Sequence, residues 1–97
     1  MRVVSRKPLR EFAAKHPPAK GPLYAWYAEV CQADWSGFAN VKAAYGSADV
    51  VGGNRVIFNI GGNKYRLIVK VAYRCRTVYV RFVGTHAEYD KIDAKTI

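Results

Sequence analysis

The sequence is poor in acids. Seven Asp and Glu stand against 16 Lys and Arg, leaving a formal charge of +9. A carboxylate cluster of the kind that holds a divalent cation is therefore not expected. Cysteine is scarcer still: Cys31 and Cys75 stand alone, without a CxxC pair or a histidine at metal-ligand spacing. That excludes a zinc site and a disulfide framework, and a reducing compartment is the simpler expectation. We expect no metal and no cofactor. No apolar run approaches the roughly 18 residues of a membrane span. The start MRVVSRKPLREF lacks the apolar stretch of a secretory signal. The expected location is the cytoplasm, away from membranes. Gly52-Gly53 and Gly61-Gly62 open no long helix, so neither makes a phosphate loop. Internal repeats and low-complexity segments are absent too.

What the chain does have is enough apolar material to fold. At 97 residues, 51% hydrophobic and 13% aromatic, it should form a single domain, residues 1–97, around one modest core. The basic excess implies an anionic partner or a neutralising protein. Arg2 to Val4 reads as a short strand, and Ser5 as the cap of a helix to about His16, with Leu9, Phe12 and Ala13 on its stripe. Pro17-Pro18 should end that helix, and Gly21-Pro22 should start another. Leu23, Trp26, Tyr27, Val30, Cys31 and Asp34 follow helical spacing, with Cys31 at a core position. Asn40 to Tyr45 reads as a turn or two of helix, and Ser47 to Gly53 as a loop. Trp35, Phe38 and Tyr45 are expected to close the edge of the core rather than to stack on a ligand.

The informative stretch is Asn54 to Tyr89. Two β-rich runs flank Gly61-Gly62, which reads as a two-residue hairpin turn. That register sets Phe58 against Tyr65 and Val56 against Leu67 on an apolar face. A second tight turn at Arg74-Cys75 sets Val71 against Val78, Val69 against Val80 and Leu67 against Phe82. Because side chains alternate along a strand, the opposite face collects Arg55, Ile57, Asn59, Lys64, Arg66, Ile68, Lys70, Tyr79 and Arg81. Lys70 should face Tyr79, Ile68 face Arg81 and Arg66 face Val83. Such a face is often simply solvated, but charges of one sign on neighbouring strands repel unless an anion lies between them.

The strand ends in VGTHAEYDKI. Thr85-His86-Ala87-Glu88 fits a capping box, with His86 as first residue of a short terminal helix. The positive end of a helix favours a neutral imidazole, which can accept a proton near pH 7. Tyr89 lies three residues on, along the same helical face.

FNIGGNKYRLIVKV followed by a strand and then VGTHAEYDKI resembles the HigB family of toxins from bacterial toxin–antitoxin pairs, within the RelE/ParE superfamily. The resemblance covers nearly the whole chain. It implies an α+β, RelE-like fold: an N-terminal strand and a helical hairpin packed on a small, mainly antiparallel sheet, with a short C-terminal helix. In RelE-like relatives a catalytic arginine follows the aromatic residue of the middle strand, and Arg66 matches it. Where RelE itself has a second arginine after the last strand, this sequence has His86.

The resemblance implies an endoribonuclease that cuts mRNA, on or off the ribosome. It also implies an adjacent antitoxin, commonly a helix-turn-helix protein like HigA. RNA carries its own nucleophile, the 2′-hydroxyl. Cleavage then needs a base, an acid for the leaving 5′-oxygen, and cations for the charge developing on phosphate. The expected catalytic residues are Arg66, His86 and Tyr89. Arg55, Asn59, Lys64, Lys70, Tyr79 and Arg81 are the expected substrate-binding residues. A ParE-like gyrase inhibitor of the same fold and a non-enzymatic RNA- or DNA-binding module are the alternatives. Neither needs Arg66 and His86 together.

Overall fold

A computed structural model describes residues 1–97. The chain runs β1 (Arg2–Val4), α1 (Lys7–Lys15), α2 (Pro17–Gln32), α3 (Phe38–Ala44), β2 (Asp49–Val51), β3 (Arg55–Ile60), β4 (Tyr65–Ala72), β5 (Thr77–Thr85) and α4 (His86–Tyr89). The five strands form one sheet in the order β1-β5-β4-β3-β2. All neighbours are antiparallel except β1, which lies parallel to β5. The architecture is the expected α+β arrangement, with one strand more than the sequence suggested. Asp49–Val51, read as loop, pairs with Arg55–Ile57 as an edge strand.

Helix boundaries moved for identifiable reasons. Ser5 has φ +70 and does not cap α1; Arg6 holds the N-cap position without a side-chain bond. Pro17 ends α1 as expected, and it also begins α2, since the first helical turn needs no donor from it. The helix then continues through Pro22 to Gln32 as one element. Asp34 falls beyond it and pairs with Arg76 instead. Cys31 faces solvent, not the core.

Leu9, Phe12, Leu23, Trp26 and Val30 of the helical hairpin pack on Val56, Phe58, Leu67, Val69, Val71, Val78 and Val80 of the sheet. Trp35 and Tyr45 close the edge of this core as expected, their rings 6.2 and 5.1 Å from Phe58. His16, at the end of α1, stacks on Phe12 at 4.4 Å.

Both strand registers needed correction. The β3–β4 turn spans Gly61 to Lys64, with φ of +66, +63 and +80 at Gly61, Gly62 and Asn63. Three consecutive left-handed residues make a longer turn than a two-residue hairpin, and glycine and asparagine are the residues that tolerate them. Phe58 therefore faces Leu67 rather than Tyr65, and Val56 faces Val69. The slip is two residues, so every side chain keeps its face. Lys64 alone leaves the sheet for the turn.

Between β4 and β5 the expected pairs hold from Ala72–Thr77 to Val69–Val80, and then a bulge intervenes. Arg81 is the extra residue. Beyond it Ile68 faces Phe82, Leu67 faces Val83 and Arg66 faces Gly84. A bulge adds one residue to one strand and so inverts the alternation after it. Phe82 moves to the face away from the helices, and Val83 packs against the core.

Candidate active site

The face turned away from α1 and α2 is built in three cross-strand rows. Arg55, Lys70 and Tyr79 make the first; Ile57, Ile68 and Phe82 the second; Asn59, Arg66 and Gly84 the third. Successive rows sit two residues apart along β3 and β4, with the bulge adding one on β5, so the basic first row is about 13 Å from the third. The structure therefore splits the expected binding residues. Arg55, Lys70 and Tyr79 share one end of the face. Asn59 and Arg66 share the other, where α4 brings His86 and Tyr89. Lys64 is exposed in the turn, and Arg81 is exposed at the bulge.

At the third row, α4 lies against β4 and β5. Its short length is set by the capping box expected from the sequence. The Thr85 backbone N–H donates to Glu88 Oε1 at 2.8 Å, and the Glu88 N–H donates to Thr85 Oγ1 at 3.2 Å. The bond from the Thr85 N–H above all, with a smaller effect of the Thr85 hydroxyl, holds the Glu88 carboxyl below the usual carboxylate range. The box fixes the direction in which His86 and Tyr89 leave the helix.

The Arg66 guanidinium sits over the Tyr89 ring, 4.7 Å from its centroid. Such a contact orients the cation without neutralising it. Arg66 Nε, His86 Nε2 and Asn59 Oδ1 are buried and have no hydrogen-bond partner in the protein. Buried polar groups are nearly always paired, so three of them on one patch mark a place built to receive polar atoms. Arg66 Nε–H is a donor, His86 Nε2 is a donor or an acceptor according to the tautomer, and the Asn59 amide nitrogen donates to the Ser47 carbonyl at 3.3 Å.

The middle row is not wet. Ile57 is 4% and Ile68 0% exposed, although both lie outside the core beneath the helices. The chain after α4 runs back along the sheet from the third row to the first, where Arg55 Nε donates to the Ile97 carbonyl at 2.8 Å. On the way it passes the level of these isoleucines. The face is thus strapped rather than open, and Arg55 is engaged by main chain at Ile97 and Gly52. Two isoleucines among lysines and arginines were the sequence signal for this cover. Phe82 was missed because a bulge leaves no periodic trace. Nowhere do three or more His, Cys, Asp or Glu side chains gather as a metal site. No helix is long and apolar enough to cross a membrane.

Comparison with known proteins shows the family. A family model described as the RelE-like toxic component of a toxin–antitoxin system, HigB_toxin, matches residues 19–92. The mRNA interferase toxin HigB of Escherichia coli K12 is 30% identical over 92 residues, covering 93% of this chain and 88% of that protein. The mRNA interferase HigB of Shigella flexneri matches equally, at 30% identity with the same coverage. That of Escherichia coli O6:H1 is 27% identical, covering 95% of this chain and 91% of its own length.

Proposed function

The chain belongs to the HigB family of RelE-like toxins, and from that premise we propose that it is an mRNA endoribonuclease acting through the Arg66–His86–Tyr89 cluster. The observation that carries the proposal is the meeting of a strand arginine with a helix histidine and tyrosine, where Arg66 Nε and His86 Nε2 are buried and unpaired.

The 2′-hydroxyl oxygen attacks the adjacent phosphorus, the bond to the 5′-oxygen breaks, and a 2′,3′-cyclic phosphate remains. Arg66 binds a non-bridging oxygen and opposes the charge that grows on it in the transition state. Tyr89 holds the guanidinium flat from below. His86 transfers a proton, taking it from the 2′-hydroxyl as base or giving it to the 5′-oxygen as acid. Asn59 Oδ1, the unpaired atom there, accepts from a sugar hydroxyl. Lys70 and Tyr79 hold the RNA away from the cut, Arg55 adds its charge beside them while bound to the strap at Ile97, and Lys64 and Arg81 add positive charge at the margins of the face.

The whole chain, 1–97, acts as one RelE-like domain in the cytoplasm. Its partners are mRNA, free or on the ribosome, and a cognate antitoxin carrying a helix-turn-helix domain. Incubating the protein with RNA in excess chelator tests the chemistry. Cleavage should persist and leave 2′,3′-cyclic phosphate ends. Cleavage that stops with metal removal, or ends that carry 3′-hydroxyls, would refute the mechanism. Running the assay with naked RNA and with translating ribosomes decides the ribosome's part. Expression of the chain alone should arrest growth, and co-expression of its antitoxin should restore it.

A further inference from the structure

We propose that Phe82 and Gly84 act together as a positioning pair that sets the height of α4 over Arg66; this rests on the ribonuclease reading of the site. The bulge at Arg81 turns Phe82 onto the site face, opposite Ile68. Two residues on, Gly84 stands opposite Arg66. Gly84 is buried, and the space a side chain would take there is already filled. A β-carbon at 84 would lie 2.6 Å from Phe82 Cζ and 3.1 Å from both Phe82 Cε2 and Glu88 Cβ. Real β-carbons essentially never come closer than 3.0 Å to such an atom. The Phe82 ring and the stem of Glu88 thus close over the Gly84 backbone, and the first turn of α4 rests there.

The conformational freedom of glycine is not what this position uses, since Gly84 has no left-handed φ. It uses the missing side chain. Any atom added at 84 must push the Phe82 ring aside or lift Glu88, and with Glu88 the helix that carries His86 and Tyr89. Phe82 acts from the other side, as a filler without which the helix settles lower. Gly84 is buried, and Phe82 has no polar atom to offer a phosphate. Both fix the distance between Arg66 on β4 and His86 on α4, and displacements of about 1 Å between reacting groups cost on the order of a hundredfold in rate.

Three variants test this: Gly84→Ala, Phe82→Leu, and the two combined. Gly84→Ala should lower kcat by about ten- to a hundredfold with KM for RNA little changed, because the basic row that holds the strand lies elsewhere. Phe82→Leu, which shortens the side chain where the clash falls, should lower kcat less. The double variant should cut faster than Gly84→Ala alone, since the leucine vacates the place the new methyl needs. Imidazole NMR signals of His86 should shift in Gly84→Ala and return toward wild type in the double variant. The NMR arm reads the geometry even if the wild-type protein cuts no RNA, so failure of the enzyme reading and failure of this one are separable. Wild-type kcat and unshifted His86 signals in Gly84→Ala would overturn the proposal. So would a double variant no faster than Gly84→Ala. If Gly84→Ala does not fold, Phe82→Leu decides: wild-type kcat there overturns it, and reduced kcat at unchanged KM supports it.

Discussion

At the scale of single residues, charge and position separate two roles that a basic protein easily confuses. Arg66 is stacked on Tyr89 and is the cation proposed to oppose charge on the phosphoryl group, so Arg66→Ala should slow cleavage by about a hundredfold or more. Single-turnover rates on a short RNA would measure it. His86→Ala should also cost about a hundredfold in rate, yet leave RNA affinity nearly unchanged, because the lysines and arginines that hold the strand are untouched. The pH profile assigns its role: rates that rise through the histidine range mean a base, rates that fall mean an acid. A His86→Ala protein that cuts at the wild-type rate across that range would reduce the histidine to a helix-start residue. The placement of both residues was legible from sequence, each for its own reason. A register error of two residues in β3–β4 leaves alternation intact, so Arg66 kept its face, and Thr85-x-x-Glu88 is a local signal that no tertiary contact overrides.

At the scale of elements, the one-turn helix α4 depends on its cap more than on its length. The Thr85–Glu88 box satisfies backbone donors that four residues cannot satisfy among themselves. Thr85→Ala should therefore loosen α4 by about 1 kcal/mol, seen as faster amide exchange at residues 86–90 while the sheet stays protected. The same box carries a pH dependence. The bond from the Thr85 N–H holds the Glu88 carboxyl below its ordinary value. A depressed carboxyl contributes stability that is present above its unfolded pKa and lost as pH falls through the folded one. Acid should therefore release α4 first below the usual glutamate range of about 4.3, and Glu88→Gln should weaken that dependence. Amide exchange across an acid titration checks both. Elements were harder to read where their signals compete. A proline pair can end one helix and begin the next, and Pro17 does both. Three residues of β2 against β3 are too short a run for alternation to declare itself.

At the scale of the whole molecule, the 16 basic residues are not spread evenly in function. The first row of the face should give RNA binding a steep dependence on salt. Lys70→Ala should weaken binding alike for all sequences and flatten the logarithmic salt slope by about one unit. Affinity unchanged between low and physiological salt would remove this face as the binding surface. What the sequence could not supply at this scale was the strap. The path of residues 90–97 depends on contacts with a face from which they are far removed in sequence, and nothing in DKIDAKTI announces the direction it takes.

The spacing of the rows also makes the face a ruler. The residues proposed to hold RNA and those proposed to cut it lie about 13 Å apart along the strands, on either side of the covered apolar row, so an RNA joining them passes over the strap rather than along the sheet. Stacked nucleotides rise about 3.4 Å each along one strand, so roughly four of them separate anchor from scissile bond. A dinucleotide reaches Arg66 and His86 but leaves Lys70 and Tyr79 untouched. Cleavage efficiency should accordingly climb with substrate length over the first few nucleotides on one side of the cut, through KM, and then level off. On the other side of the cut, added length should matter far less.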